Sequence, residues 1–459
     1  LRQETFRMLD SFIIKKMAET RTPGLSIALI QNGEVTYVRG YGFRDVEATE
    51  PATPETIYGI GSITKSFTAL AILQLVSKGK VSLDDPITNY VSVNVDHHGE
   101  KVTLHHLLTH SSGIPALGYA EALISGLLGS KREWLPIAKP EDIVPFMEGA
   151  SDWAVAKPGS KFFYLNEGYV LLGKVIESVT GMPYREYVRE NILKPLKMTR
   201  SYFTKERVAS DPDVATPYII MKDGELRPSR FPYGIEADGG LLSNVLDLAN
   251  YIKMYLGGGV FEGKEIIPKE LLELMWKPHI KLNFEIFGGD AYGYGLMIHP
   301  NFPGGTLIGH GGSVLVYTAY IGFIPSKGLG VAVLSNASGY PPSKIGMYAL
   351  MYVAGRDPRE LTFIREDEMY SKLTGVYEAF KGTMRVKVFR LGNFLAVEEI
   401  SEFEGVPSPL VPVKVSEDYA EFYTIGYYGS KVPVVFEIKD GRVELLYERY
   451  KFVKKGQEP

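Results

Sequence analysis

The sequence predicts an α/β sandwich followed by a separate all-β barrel. Two observations carry this. Strand-like runs stand at both ends of the first three quarters of the chain, with helical text between them, which fits a sandwich and not an alternating βαβ fold. Beyond about residue 366 the text changes to short β-branched and aromatic runs parted by turns. The 459 residues suffice for two or three units.

Residues 1–20 read as an amphipathic helix, with Phe6, Leu9, Phe12, Ile13 and Met17 on one side. Leu25–Ile30 and Glu34–Gly40 flank Gln31-Asn32-Gly33, and Asn-Gly is the strongest two-residue hairpin signal. A helix follows Ser62 and stops near Lys78-Gly79-Lys80. A largely helical stretch runs to about residue 200; within it Asn166–Thr180 has helical spacing and Gly181 closes it. Residues 286–337 look β-rich, with Thr306–Gly309, Leu315–Pro325 and Leu329–Ser335 as antiparallel strands near the first hairpin. Composition shifts at Arg356-Asp-Pro-Arg359. Beyond it, Thr383–Phe389, Phe394–Ile400, Leu410–Val415, Tyr419–Ile425, Val432–Ile438 and Arg442–Tyr447 predict a small up-and-down barrel. The expected domains are therefore 1–360 and 366–459.

The net charge of −4 gives no argument for nucleic acid or an anionic membrane as partner. No run reaches the roughly 18 apolar residues of a membrane-spanning helix. Cysteine is absent, which excludes disulfides, thiol nucleophiles and Cys-ligated zinc. The first ten residues carry charge in every turn and form no signal-peptide core, so the chain is expected in the cytoplasm. It does not begin with Met, which fits a processed form.

Ser62-Ile-Thr-Lys65 is the most informative motif. Positions i and i+3 share a helix face, which sets the Lys65 amine one turn from the Ser62 hydroxyl. The helix start offers free N–H groups to an oxyanion. The following residues are apolar (Phe67, Leu70, Ala71, Leu73, Leu75), and desolvation favours the neutral amine that a base requires. The alternative is an N-cap serine with a snorkelling lysine. Chance also supplies this spacing: Ser77-Lys-Gly-Lys80, at a charged helix end, reads as solvated surface.

Tyr164 and Asn166 lie two apart before a helix, so in an extended segment they point to one side. The phenol could relay a proton and the amide could hold a carbonyl; the alternative is a packed Tyr with an N-cap Asn. His310-Gly311-Gly312-Ser313 lets backbone approach a ligand, or forms a β-bulge or tight turn. No serine has glycine at both −2 and +2, so the Gly-x-Ser-x-Gly elbow is missing. His106 and His110 have helix-face metal spacing but read as part of a helix-ending turn. No phosphate loop or dinucleotide fingerprint occurs.

Taken in order, Ser-x-x-Lys, Tyr-x-Asn and His-Gly-Gly resemble the penicillin-recognising serine hydrolases. The resemblance is closest to the group of class C β-lactamases, D,D-carboxypeptidases, D-stereospecific aminopeptidases and related esterases, peptidase family S12. It covers about residues 1–355 and includes Pro23–Ala28, Leu107–Pro115, Gly168–Glu177, Asp238–Ser243 and Tyr292–Leu296. It implies a β-lactamase-like sandwich of antiparallel sheet and helical cluster, with the site between them. It also implies Ser62 as acylated nucleophile, Lys65 and Tyr164 sharing acid–base work, and Asn166 binding substrate. The N–H groups of Ser62 and Ser313 would form the oxyanion hole, beside His310 and Gly312, with no metal and no cofactor.

Where lactamases and D,D-peptidases carry Lys-Thr-Gly, this chain has His310-Gly311-Gly312. That resembles the D-aminopeptidase branch. A histidine of ordinary pKa is mostly neutral at pH 7 and offers a carboxylate no permanent cation. Leu373–Glu378 looks like the opening of the lipocalin-like tail of archaeal members. The implied function is a serine peptidase or amidase acting on small peptides, including those with D-residues. The alternatives are a carboxylesterase or weak β-lactamase, or, in another class, a penicillin-binding sensor that acylates without turnover. The expected partners are a small peptide or ester substrate and, through the barrel, further copies of the chain.

Overall fold

The computed structural model describes residues 2–129, 137–401, 406–426 and 428–456. It divides into two compact units, Leu1–Arg356 and Asp357–Pro459. The strands of the first unit's main sheet are β1 (Gly24–Gln31), β2 (Glu34–Asp45), β3 (Glu50–Pro51), β4 (Ile280–Lys281) and β5 (Ala291–Tyr292). They continue with β6 (Met297–His299), β7 (Leu307–Ser313), β8 (Thr318–Ile324) and β9 (Leu329–Ser335). Among the described residues they form one antiparallel sheet in the order β4-β5-β6-β7-β8-β9-β1-β2-β3. The expected hairpin is β1–β2, turned by Asn32 and Gly33 at positive φ. Strand β1 also pairs with β9, Ile27 opposite Val333, so the two ends of this unit's sequence lie side by side.

Helices that bear on the site are α1 (Arg2–Thr20), α2 (Thr64–Ser77), α3 (Asn166–Thr180), α4 (Val245–Leu256) and α5 (Pro342–Val353). On β9, Gly330 faces Ile252 of α4, and the next residue, Val331, faces Gly346 of α5. Successive strand residues point to opposite faces, so helices cover both sides of the sheet. Helix α1 joins α5 on its side, where Phe12 stacks on Tyr348 at 3.7 Å. On the other side α2 lies against α4, with Phe67 stacked on Tyr251 at 3.9 Å. Every residue from Thr64 to Leu75 is buried. That all-round burial is why α2 reads as a continuous apolar run rather than an amphipathic stripe.

Two expectations for the β-rich stretch need correction. Val314 to Tyr317 make a turn, with the Val314 N–H donating to Tyr317 O at 3.1 Å, so β8 begins at Thr318 and not at Leu315. His310-Gly311-Gly312-Ser313 is neither bulge nor turn but the end of β7.

In the second unit, α6 (Thr362–Leu373) leads into β10 (Gly375–Glu378), β11 (Arg385–Leu391), β12 (Phe394–Glu399) and β13 (Ser408–Val415). The remaining strands are β14 (Tyr419–Ile425), β15 (Lys431–Lys439), β16 (Arg442–Tyr447) and β17 (Tyr450–Gly456). Among the described residues each pairs with the next, and β10 pairs with β17, giving a closed antiparallel barrel. Alternate residues fill it: Val386 and Val388, Leu395 and Val397, Val434 and Phe436, Val443 and Leu445. Met369, Tyr370 and Leu373 of α6 join that core. Closure leaves no open sheet edge in the barrel. Strands β10 and β17 were not expected from sequence; one is short and the other is rich in lysine. Among the described residues no helix is long and apolar enough to cross a membrane.

Candidate active site

Ser62 lies in a single 3-10 turn, Gly61–Ile63, that runs straight into α2. In such a turn residues i and i+3 eclipse, which brings Lys65 Nζ to 3.0 Å from Ser62 Oγ. Lys65 is wholly buried and Ser62 half-buried. The lysine also donates to the Asp238 backbone oxygen at 2.6 Å. Its Nζ stands 5.0 Å from the Tyr164 ring centre and 5.7 Å from that of Tyr169. The Asp238 loop is tied down on both sides of the Ser62 turn. Ile60 N–H donates to Leu241 O at 3.0 Å, and Leu241 N–H donates to Thr64 Oγ1 at 3.2 Å. By contrast, Ser77 and Lys80 are exposed, as solvated surface should be.

Tyr164 and Asn166 enter the same place from the extended lead into α3, where Leu165 has φ −125 and ψ 100. The Tyr164 hydroxyl is buried and has no hydrogen-bond partner. Asn166 is the first helical residue, not an N-cap; its Nδ2 donates to Glu121 Oε1 at 3.4 Å. Ser62, Asn166, Ser313, Glu121, Asp238 and Leu315 all line one cleft of about 270 Å³.

Strand β7 reaches the cleft with half of one edge unpaired. Its partner β6 covers only Leu307–Gly309. Because Val314 N–H bonds to Tyr317 O, the alternation of an antiparallel ladder turns the Ser313 N–H away from β8. It points toward the Ser62 turn. A Cβ added at Gly61, where φ is +52, would lie 2.6 Å from Ser313 N. One added at Gly312 would lie 1.9 Å from Ile60 O and 3.2 Å from Ser62 N. Glycine at 312 is thus what lets strand and turn touch. Gly312→Ala is expected to force them apart, at a cost of about 1–3 kcal/mol. The accompanying misplacement should cut turnover at least about 100-fold. A melting curve and steady-state rates check this, and a variant with full activity refutes the close approach.

His310 is buried behind this strand. The tautomer that satisfies both its contacts has Nδ1–H donating to Gly311 O at 2.5 Å and Nε2 accepting from the Tyr292 hydroxyl at 3.0 Å. Burial pulls its pKa down to about 4, with Gly311 O opposing and the Lys65 charge adding to the fall. The ring is therefore neutral across ordinary pH. The unfolded chain takes up this proton near pH 6.5 and the folded one only near 4. This contribution to stability is complete above pH 6.5 and is lost as pH falls from there toward 4. The His310 ring-proton shift in an NMR titration should stay constant from pH 8 to 5.5; a midpoint near 6.5 contradicts it.

These groups can perform acyl transfer. A hydroxyl touches a buried amine, a buried phenol stands beside that amine, and the end of β7 packs against the turn that carries the hydroxyl. The family model described as Beta-lactamase matches residues 9–355. The chain belongs to the Beta-lactamase family. Residues 358–453 match the model described as the Pab87 octamerisation domain.

The chain is 52% identical to the octameric penicillin-binding protein homologue from Pyrococcus abyssi, with a TM-score of 0.94 over 98% of this chain and 100% of that one. It is 26% identical to the D-stereospecific amidohydrolase from Streptomyces sp., with a TM-score of 0.59 over 72% of this chain and 94% of the other. Staphylococcus aureus protein flp is 29% identical over 75% of this chain, and the match spans 66% of flp. Esterase EstB of Burkholderia gladioli is 34% identical over 50% of this chain and 57% of its own length.

Within the Beta-lactamase domain the structure brings to the site residues that the sequence did not place there. His110, at φ +55, accepts the Leu165 N–H on Nδ1 at 2.9 Å and lies 4.1 Å from the Tyr164 ring centre. Burial, then the nearby Lys65 charge, holds its pKa well below the usual value. His106 takes the Thr103 N–H on its Nδ1. Both histidines are thus committed to backbone, and no group of three or more metal-binding side chains occurs among the described residues. Asp238 holds Lys65, and Tyr292 holds His310. Each lies in a segment that the family resemblance had already singled out, which was the available signal.

Proposed function

We propose that the chain is a serine peptidase or amidase that hydrolyses small peptides, D-residue peptides among them, through an acyl-enzyme on Ser62. The observation that carries this reading is the 3.0 Å contact of Ser62 Oγ with a wholly buried Lys65 whose Nζ is fixed by Asp238 O. As Ser62 Oγ bonds to the substrate carbonyl, its proton passes to Lys65 Nζ. The carbonyl oxygen gathers charge against the N–H groups of Ser62 and Ser313. The C–N bond breaks as Lys65 and Tyr164 return a proton to the leaving nitrogen. Water then attacks the ester, gives its proton to the same base, and restores the hydroxyl. Asn166 orients the substrate from the cleft wall. Neutral His310 offers no cation, which argues against recognition of a terminal carboxylate.

Likeness to the Streptomyces amidohydrolase supports amide over ester substrates and a place for D-residues. Likeness to the esterase supports the alternative, a carboxylesterase. A hydrolysis screen of L- and D-peptides, amino esters and a chromogenic cephalosporin separates them. Peptide turnover is expected; turnover of esters alone sinks the peptidase reading. A fluorophosphonate or penicillin adduct that persists in intact mass would instead identify a sensor.

The barrel is proposed to assemble copies of this chain, supported by its match to an octamerisation domain and by the octameric Pyrococcus relative. Light scattering on the full chain should give the mass of eight copies. A monomer in dilute buffer refutes that.

A further inference from the structure

The barrel of the second unit is plugged at one end and open at the other. Helix α6 holds the end where β10 begins and where β11 and β17 finish. Its Leu373 O accepts the Tyr377 hydroxyl at 2.6 Å, its Asp367 O accepts from Arg390 at 3.0 Å, and its Lys372 O accepts from Lys454 at 2.8 Å. The opposite end, where β11, β13, β15 and β17 begin, holds a cavity of about 560 Å³. Sites for small molecules have volumes of about 300–1,000 Å³, and barrel mouths are among their usual places.

Strand alternation builds the cavity wall. Val397, Phe422 and Val434 belong to the barrel core. Glu399, Thr424 and Val432 stand two residues from them and so point inward as well. All three line the cavity, over an apolar floor of Val386, Val397 and Phe452. Thr424 is 4% exposed and lies opposite Val432 in the ladder, and its hydroxyl bonds to no described residue. A buried hydroxyl without a partner is costly, and a polar group entering the cavity removes that cost. Among the described lining residues there are three glutamates and no lysine or arginine. Glu398 stands opposite Lys387, and Glu448 precedes Arg449, whose guanidinium donates to the Tyr450 hydroxyl at 2.9 Å. Glu399 stands opposite Val386 and pairs with no described cation.

We propose that this mouth is a second ligand site of the chain, separate from the Ser62 cleft, and that it takes a primary alkylammonium. The alkyl chain lies on the apolar floor, with the ammonium turned toward Glu399 and the Thr424 hydroxyl. An ammonium carries three donors and no acceptor, which suits a carboxylate and a hydroxyl oxygen. Charge decides the selection: an alkyl carboxylate of equal length would bury the same chain but meet Glu399 with like charge.

Calorimetry on the full chain tests this with octylammonium chloride and sodium octanoate. Octylammonium should bind at least about tenfold more tightly than octanoate. Glu399→Gln should remove most of that difference. Val432→Phe, which puts a ring into the cavity, should abolish octylammonium binding. Glu399 is exposed, so its variant keeps the test sound if Val432→Phe fails to fold. Equal binding of the two probes overturns the site, as does a preference that survives Glu399→Gln or a folded Val432→Phe. No binding of octylammonium also overturns it, including the case in which a neighbouring copy of the chain fills the mouth.

Discussion

Ser62→Ala is expected to abolish both fluorophosphonate labelling and peptide hydrolysis, with a loss in kcat of at least about 10⁴-fold. Neither Lys65 nor Tyr164 can take over. Lys65 is buried beneath the serine, and the Tyr164 hydroxyl faces no bonding partner that could activate it. The half-buried Ser62 hydroxyl accepts a hydrogen bond from Lys65, and the fold should survive its removal. The paired control is Ser77→Ala. It shares the Ser-x-x-Lys spacing, but both its serine and Lys80 are exposed. That variant should label and turn over like the parent. Activity retained in Ser62→Ala, or lost in Ser77→Ala, removes the assignment.

Lys65→Met is expected to fold and to lose turnover by about 10²–10⁴-fold, the range for a positioned acid–base group. Methionine matches lysine in length and fills the same buried space. Two effects oppose each other in stability. Removing Nζ leaves Asp238 O without its donor, which costs about 1–3 kcal/mol. Removing an amine from a wholly buried site also ends its desolvation penalty. The net change in melting temperature should therefore be small beside the change in rate. A variant that unfolds assigns Lys65 to structure; one that keeps full activity assigns the base elsewhere.

Much of this architecture is legible in the amino-acid order, because local rules and packing agree there. The β1–β2 hairpin follows from Asn32-Gly33, and α3 runs from Asn166 to the glycine that ends it. The barrel core repeats every second residue. What escaped depends on contacts between distant segments. The extension of β7 through His310-Gly-Gly is invisible locally, since glycines weaken a strand. At Gly312 the Ser62 turn occupies the space a side chain would fill. Helix α5 begins with Pro-Ser, and its Tyr348 packs on Phe12 of the distant α1. At the site, Ser62 and Lys65 could be proposed from spacing, and Tyr164 and Asn166 once the family resemblance was added. His110 and Asp238 could not, because their parts are a ring contact and a backbone carbonyl, and neither leaves a trace in residue type. The depressed pKa of His310 follows from burial, which a motif does not state.

The meeting of Gly61 with Ser313 has a consequence for the chain's early life. The two segments are separated by most of the first unit's sequence, and β7 reaches β1 through β8 and β9. Such distant pairings form late, after the loops between them have closed. A nascent chain emerging from the ribosome already carries Ser62 and Lys65 on a helix, yet it lacks the second N–H that would stabilise an oxyanion. Its serine is inert until the last strand of the sheet docks. Proteolytic pieces cut before that strand are inert for the same reason. Activity at Ser62 is thus expected only once the fold around it is complete.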